Sequence, residues 1–113
     1  MHPVPYPEYL AARSIIAEAA AAVLDGRLGV LEGARVIAWH RFAVDPEQSD
    51  DDLLGIAGVE SQTDHLPLGP ERWTWPSAML DDKESEIARE AAFFRDDVLA
   101  SCRALVARYA PVV

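Results

Sequence analysis

IAREAAFFRDDVLASCRALVARY, Ile87 to Tyr109, is the stretch that decides the fold. Its apolar residues Ile87, Ala91, Phe94, Val98, Cys102, Leu105 and Tyr109 follow one another at intervals of four, three, four, four, three and four. That spacing describes one face of an α-helix; a strand, whose faces alternate at every second residue, cannot produce it. Pro111 stops the helix because it has no N–H to donate. Upstream, Asp81, Asp82 and Glu84 read as the opening of the same helix, where carboxylates meet the positive end of the dipole. A short turn from Pro76 to Leu80 is expected before it.

Three more helices are expected toward the N-terminus. The first runs from Glu8 to Asp25 with Leu10, Ile15, Ile16, Ala19 and Val23 as its stripe, and Gly26 closes it in the left-handed conformation. The second runs from Leu28 to Phe42, with Leu31, Ala34 or Arg35, Ala38 and Phe42 at helical spacing. Gly29 and Gly33 lie four apart on it and predict the close approach of a neighbouring helix. Asp45-Pro46 ends the second helix. Ser49 is expected to cap a short third one, Asp50 to Glu60, with Asp50, Asp51 and Asp52 in its first turn. Residues 61–76 contain Leu66-Pro67-Leu68-Gly69-Pro70 and Trp75-Pro76, an irregular connection whose Leu66, Leu68, Trp73 and Trp75 should pack on the core. Residues 1–7, with prolines at 3, 5 and 7, form an extended segment. Nothing reads as a hairpin or as an alternating strand. The fold class is all-α: a compact single domain over residues 1–113, a bundle of four main helices with a long ordered loop before the last.

A chain of 113 residues, half of them hydrophobic, buries one core and has no need of a second domain. Nineteen carboxylates against ten Lys and Arg give a formal charge of −9, which repels phosphate backbones and anionic membranes and steers basic partners inward. No nucleic-acid or membrane partner is therefore expected. The one cysteine, Cys102, lies in the apolar stripe and reads as a buried, inert thiol. With no signal segment and no run of about 18 apolar residues, a cytoplasmic location is expected.

The charge is concentrated in residues 42–71, which carry eight carboxylates and no Lys or Arg. One reading makes this stretch a docking surface for a basic partner protein, with Asp50, Asp51, Asp52, Glu60, Asp64 and Glu71 forming one uninterrupted negative patch. A structural reading of the same segment uses Arg35, Ser61, Thr63 and His65 as a polar cluster. In it Ser61, Thr63 and Asp64 hydrogen-bond to the backbone of the turn after the third helix, and Arg35 pairs with Asp64 or Glu60. The competing functional reading is a small enzyme or ligand-binding domain in which Arg35, Glu60, Asp64 and His65 converge on a pocket.

Familiar sites fail on spacing. Asp50-x-Asp52 with Gly55 imitates a calcium loop, but Leu54 holds a ligand position and Ser61 stands where a bidentate Glu is required. Neither His40 nor His65 has a Glu three residues before it, as a di-metal bundle needs. There is no phosphate-cradling glycine loop and no nucleophile elbow. No catalytic residue, metal or cofactor is assigned.

Gly33-Ala34-Arg35, the segment Gly58 to Gly69, Trp75 and the Cys102 region resemble a family of small uncharacterised bacterial proteins whose middle signature is Ser-Glu-Thr-Asp-x-(Leu or Phe)-Pro-x-Gly. Gln62 occupies the Glu position here, which counts against an acid–base role for that site. The resemblance covers roughly residues 28–109 and transfers no chemistry. Small acidic single domains of this kind resemble immunity proteins, which neutralise a toxin domain by binding it, and that analogy makes an immunity protein the leading expectation.

Overall fold

The computed structural model describes residues 5–69 and 74–110, and these form four helices with no strand among them. They are α1 (Tyr6–Leu24), α2 (Val30–Val44), α3 (Asp51–Thr63) and α4 (Ser77–Tyr109). The chain is an all-α single-domain bundle measuring 45 × 28 × 23 Å. Residues 1–4 of the expected extended segment, together with Trp73 and Glu71, lie outside the described residues. Tyr6 and Pro7 are already helical, with Pro7 in the first turn, where its missing N–H leaves nothing unsatisfied.

Helix α4 begins at Ser77, capped by Pro76, so the expected turn and helix are one element of 33 residues. Ser77 to Leu80 contain no breaker, and the Met79 and Leu80 amides already bond to the Pro76 carbonyl. Asp81, Asp82 and Glu84 consequently lie beyond the first turn. The stripe behaves as its spacing requires: Phe94, Val98, Cys102 and Leu105 are buried, while Ile87, Ala91 and Tyr109 pack against them partly covered. Burial pushes the Cys102 thiol up to about 11, so it stays protonated and unreactive at neutral pH.

Helix α1 packs on α2 and α4 through small side chains. Ala12, Ile16, Ala17, Ala19, Ala20 and Val23 are buried, whereas Leu10 is exposed and Ile15 half-buried, which rotates the buried face away from the expected stripe. Gly26 closes α1 at φ 84° as the spacing predicts, and the Arg27 and Leu28 amides bond back to the Ala22 carbonyl. Helix α2 starts two residues later than expected because Gly29 is its N-cap. Of the two glycines, Gly33 provides the close approach: a Cβ there would collide with Val23 Cγ2 of α1. Phe42, expected in the core, is half-exposed.

Gly33→Ala measures this contact. Alanine adds about 1 kcal/mol of helix propensity, but the methyl must displace Val23 in a packed interface, a cost of about 1–3 kcal/mol. The expected net result in chemical denaturation is a lower unfolding midpoint with an unchanged slope.

Candidate functional site

The joint between α2 and α3 is built from carboxylates. Asp45 is buried and accepts hydrogen bonds from the Ser49 amide (3.1 Å), the Ser49 hydroxyl (3.1 Å) and the Asp50 amide (2.9 Å). Burial raises its pKa, but these donors outweigh burial and hold the carboxyl below its ordinary value. Ser49 is thus engaged with Asp45, and the N-cap of α3 is Asp50 rather than Ser49. Asp50 Oδ1 takes the Asp52 and Leu53 amides at 3.0 and 3.1 Å. The same carboxylate reaches α4, accepting from Arg108 at 2.9 Å and from the Tyr109 hydroxyl at 3.1 Å, while Asp52 takes Arg108 at 3.0 Å. Helix α1 closes the arrangement: Arg13 donates to the Tyr109 and Arg108 carbonyls at the end of α4. Two of the three consecutive aspartates are therefore held by the protein's own arginine.

The other end of α3 carries the second polar group, and the expected turn bonds differ there. Helix α3 runs three residues further than expected, so Ser61 and Thr63 lie inside it. Thr63 donates back to the Val59 carbonyl at 2.8 Å, satisfying its buried hydroxyl within the helix. Arg35 donates to the carbonyls of Thr63 (2.9 Å) and Leu66 (3.2 Å) instead of pairing with Asp64 or Glu60. A cation there satisfies two carbonyls and meets the negative end of the α3 dipole. Leu66, Pro67 and Leu68 turn into the core, and Gly69 adopts φ 65°. His65 bonds through Nε2 to Glu86 of α4 at 2.6 Å, and Lys83 holds the other oxygen of Glu86 at 3.0 Å. These two partners, His65 first, hold the Glu86 carboxyl below its usual value.

The expected continuous acidic patch is therefore divided. Asp51 is exposed at one end of α3, and Asp64 is exposed about 20 Å away at the other, from a rise of roughly 1.5 Å per residue. Asp50 and Asp52, on either side of Asp51, are engaged with Arg108 and Tyr109 of α4. Glu60 lies half-buried in a groove between α2 and α3. The four residues of the enzyme reading disperse too: of Arg35, Glu60, Asp64 and His65, Glu60 alone lines any of the four cavities described.

No family model, curated protein or solved structure matches the chain.

The Glu60 groove brings forward two residues that sequence reasoning assigned elsewhere or passed over. Its volume is about 420 Å³, and its lining is Ala38, Trp39, Arg41 and Phe42 from α2 with Ala57, Glu60 and Ser61 from α3. Trp39 is 77% exposed and Phe42 50%, with the Arg41 guanidinium 3.9 Å from the centre of the Phe42 ring. Arg35, Trp39 and Phe42 stand four and three apart, so they share a stripe of α2. The available signal was Trp39 itself, one residue off the apolar stripe; an indole placed there either widens the buried face or remains in water.

Asp45→Ala leaves two amides and a hydroxyl without their acceptor and is expected to lower stability by about 2 kcal/mol. The wild-type stabilisation from this depressed carboxyl is complete above its unfolded pKa of about 3.9 and is lost as pH falls through the lower folded value. Thermal melts from pH 6 downward should show the wild type losing its advantage over the variant in that acid range.

Proposed function

We propose that the chain is a protein-binding domain that docks a basic partner protein on the α2–α3 face. Trp39 and Phe42 are the apolar anchors, Glu60 is the acid in the wall of their groove, Asp64 stands one turn further along α3, and Asp51 adds to the long-range field from the other end of that helix. The observation that carries this reading is the exposure of an indole and a phenyl ring together over a groove whose wall holds one carboxylate, Glu60, and one guanidinium, Arg41. Monomeric domains rarely leave such rings in water without use, and Trp and Arg are over-represented among residues that dominate binding energy. A formal charge of −9 supplies the second component, long-range attraction for a cationic surface, which raises association rate and selects partners by sign.

The specific role we assign is that of a cytoplasmic immunity protein which covers the basic cleft of a toxin acting on nucleic acid or nucleotides. The Ser-Gln-Thr-Asp-x-Leu-Pro-x-Gly motif of residues 61–69 adds no support to this role. In the fold, Thr63, Leu66, Pro67 and Gly69 of that motif serve the end of α3 and the turn after it. The dispersal of Arg35, Glu60, Asp64 and His65 weighs against the enzyme reading.

The test is a calorimetric titration against the protein encoded beside this one. Trp39→Ala, which removes an exposed ring and leaves the core intact, should weaken binding by about 2 kcal/mol, roughly thirtyfold. Asp51→Lys should weaken binding at low salt and flatten its salt dependence. Charge reversal at Asp50 or Asp52 is a poor probe because it breaks the α3–α4 clasp. Binding indifferent to both Trp39→Ala and Phe42→Ala would overturn the assignment of this face.

A further inference from the structure

The outer face of α4, opposite the stripe buried in the core, repeats every seven residues. Asp82, Arg89, Asp96 and Arg103 alternate in sign at intervals of seven, seven and seven, and all four are exposed. A seven-residue interval drifts by only about 20° around a helix, so the four charges keep to one stripe. The small residues Ala78, Ser85 and Ala92 follow the same interval and are also exposed, and Phe93 stands at the middle of the stripe with 75% of its surface in water. Among the described residues, none of the four charges makes an ion pair or hydrogen bond within the chain. By contrast, Lys83, Glu86 and Arg108 on the same helix are paired.

The stripe is self-complementary about one point. Asp82 lies ten residues before Ala92 and Arg103 ten after Phe93; Arg89 lies three before Ala92 and Asp96 three after Phe93. Ser85 and Ala100, seven residues out on either side, and Ala78 and Ala107, fourteen out, supply matching small side chains that let two helices approach. We infer that α4 pairs with α4 of a second copy of this chain, antiparallel, across a two-fold axis between Ala92 and Phe93. Every Asp82 then faces the partner's Arg103 and every Arg89 the partner's Asp96, each pair occurring twice, with the two Phe93 rings flanking the axis. A parallel pair in register sets Asp82 on Asp82 and Arg89 on Arg89, which is repulsive along its whole length. A parallel pair shifted by seven residues matches signs but leaves unused ends and does not close. The antiparallel two-fold arrangement satisfies the charges and closes.

Sedimentation of the full chain over a wide concentration range tests the pairing. The expected result is a mass that rises toward twice 12.4 kDa with concentration and falls back with added salt. Arg89→Glu and Asp96→Arg, each alone, set like charges against each other at two places and should weaken association by about tenfold or more. The double variant restores opposite signs and should recover it. A crosslinking measurement is independent of those substitutions: Ala92→Cys should oxidise to a disulfide-linked dimer, and Ala100→Cys, far from its own copy across the axis, should not. A chain that stays monomeric overturns the inference. So does a dimer indifferent to the single reversals, and so does one abolished by Trp39→Ala, which would place the second copy on the α2–α3 face.

Discussion

Helix α4 must bury its apolar stripe from Ile87 to Tyr109 against elements much shorter than itself, and this mismatch shapes the molecule. Helices α1, α2 and α3 gather around Phe94, Val98, Cys102 and Leu105. The alanines of α1 and Gly33 of α2 allow the backbones close enough for one core to include all four helices. Met79, near the start of α4, and Phe93, on its outer face, remain in water. Apolar burial holds the bundle together, while polar side chains fix how its ends meet.

Those polar ends account for much of the acidic character of the middle of the chain. Asp45 and Asp50 occupy positions where backbone amides emerge without partners, and a carboxylate satisfies several donors at once from a favourable place in the dipole field. Arg13, Arg35 and Arg108 do the converse work, the first two on emerging carbonyls and the third on the acids of α3. Counting charges along the sequence cannot separate a carboxylate occupied in this way from one left to solvent. The first kind gives geometry and the second gives long-range potential, and Asp51 and Asp64 belong to the second.

The stripe of α4, the glycine stop at Gly26 and the all-helical class were legible because each depends on local spacing or on one residue's conformational freedom. The errors share a cause as well. Hydrophobicity alone places Leu10, Ile15 and Phe42 in the core, but the buried faces of α1 and α2 are turned by the close packing of the α1 alanines and of Gly33 against Val23, which no periodic count weights. Ser49 looked like the cap because serine favours that position; Asp50 takes it because Asp45, four residues upstream, claims the serine. The expected partner of Arg35 is Asp64 or Glu60, yet it donates to the carbonyls of Thr63 and Leu66, and a carbonyl leaves no trace in a list of side chains. Trp39 and the groove beside Glu60 were missed because a site formed across two helices requires knowing which helices are neighbours.

Cys102 has a use that follows from its place at the centre of all this packing. Its sulfur has no route to solvent while α4 remains seated, and burial keeps it protonated. A thiol reagent in the surrounding buffer can therefore modify it only when the long helix lifts away from the other three. The pace of that modification is a clock for the opening of the bundle, already built into the natural sequence and needing no added label.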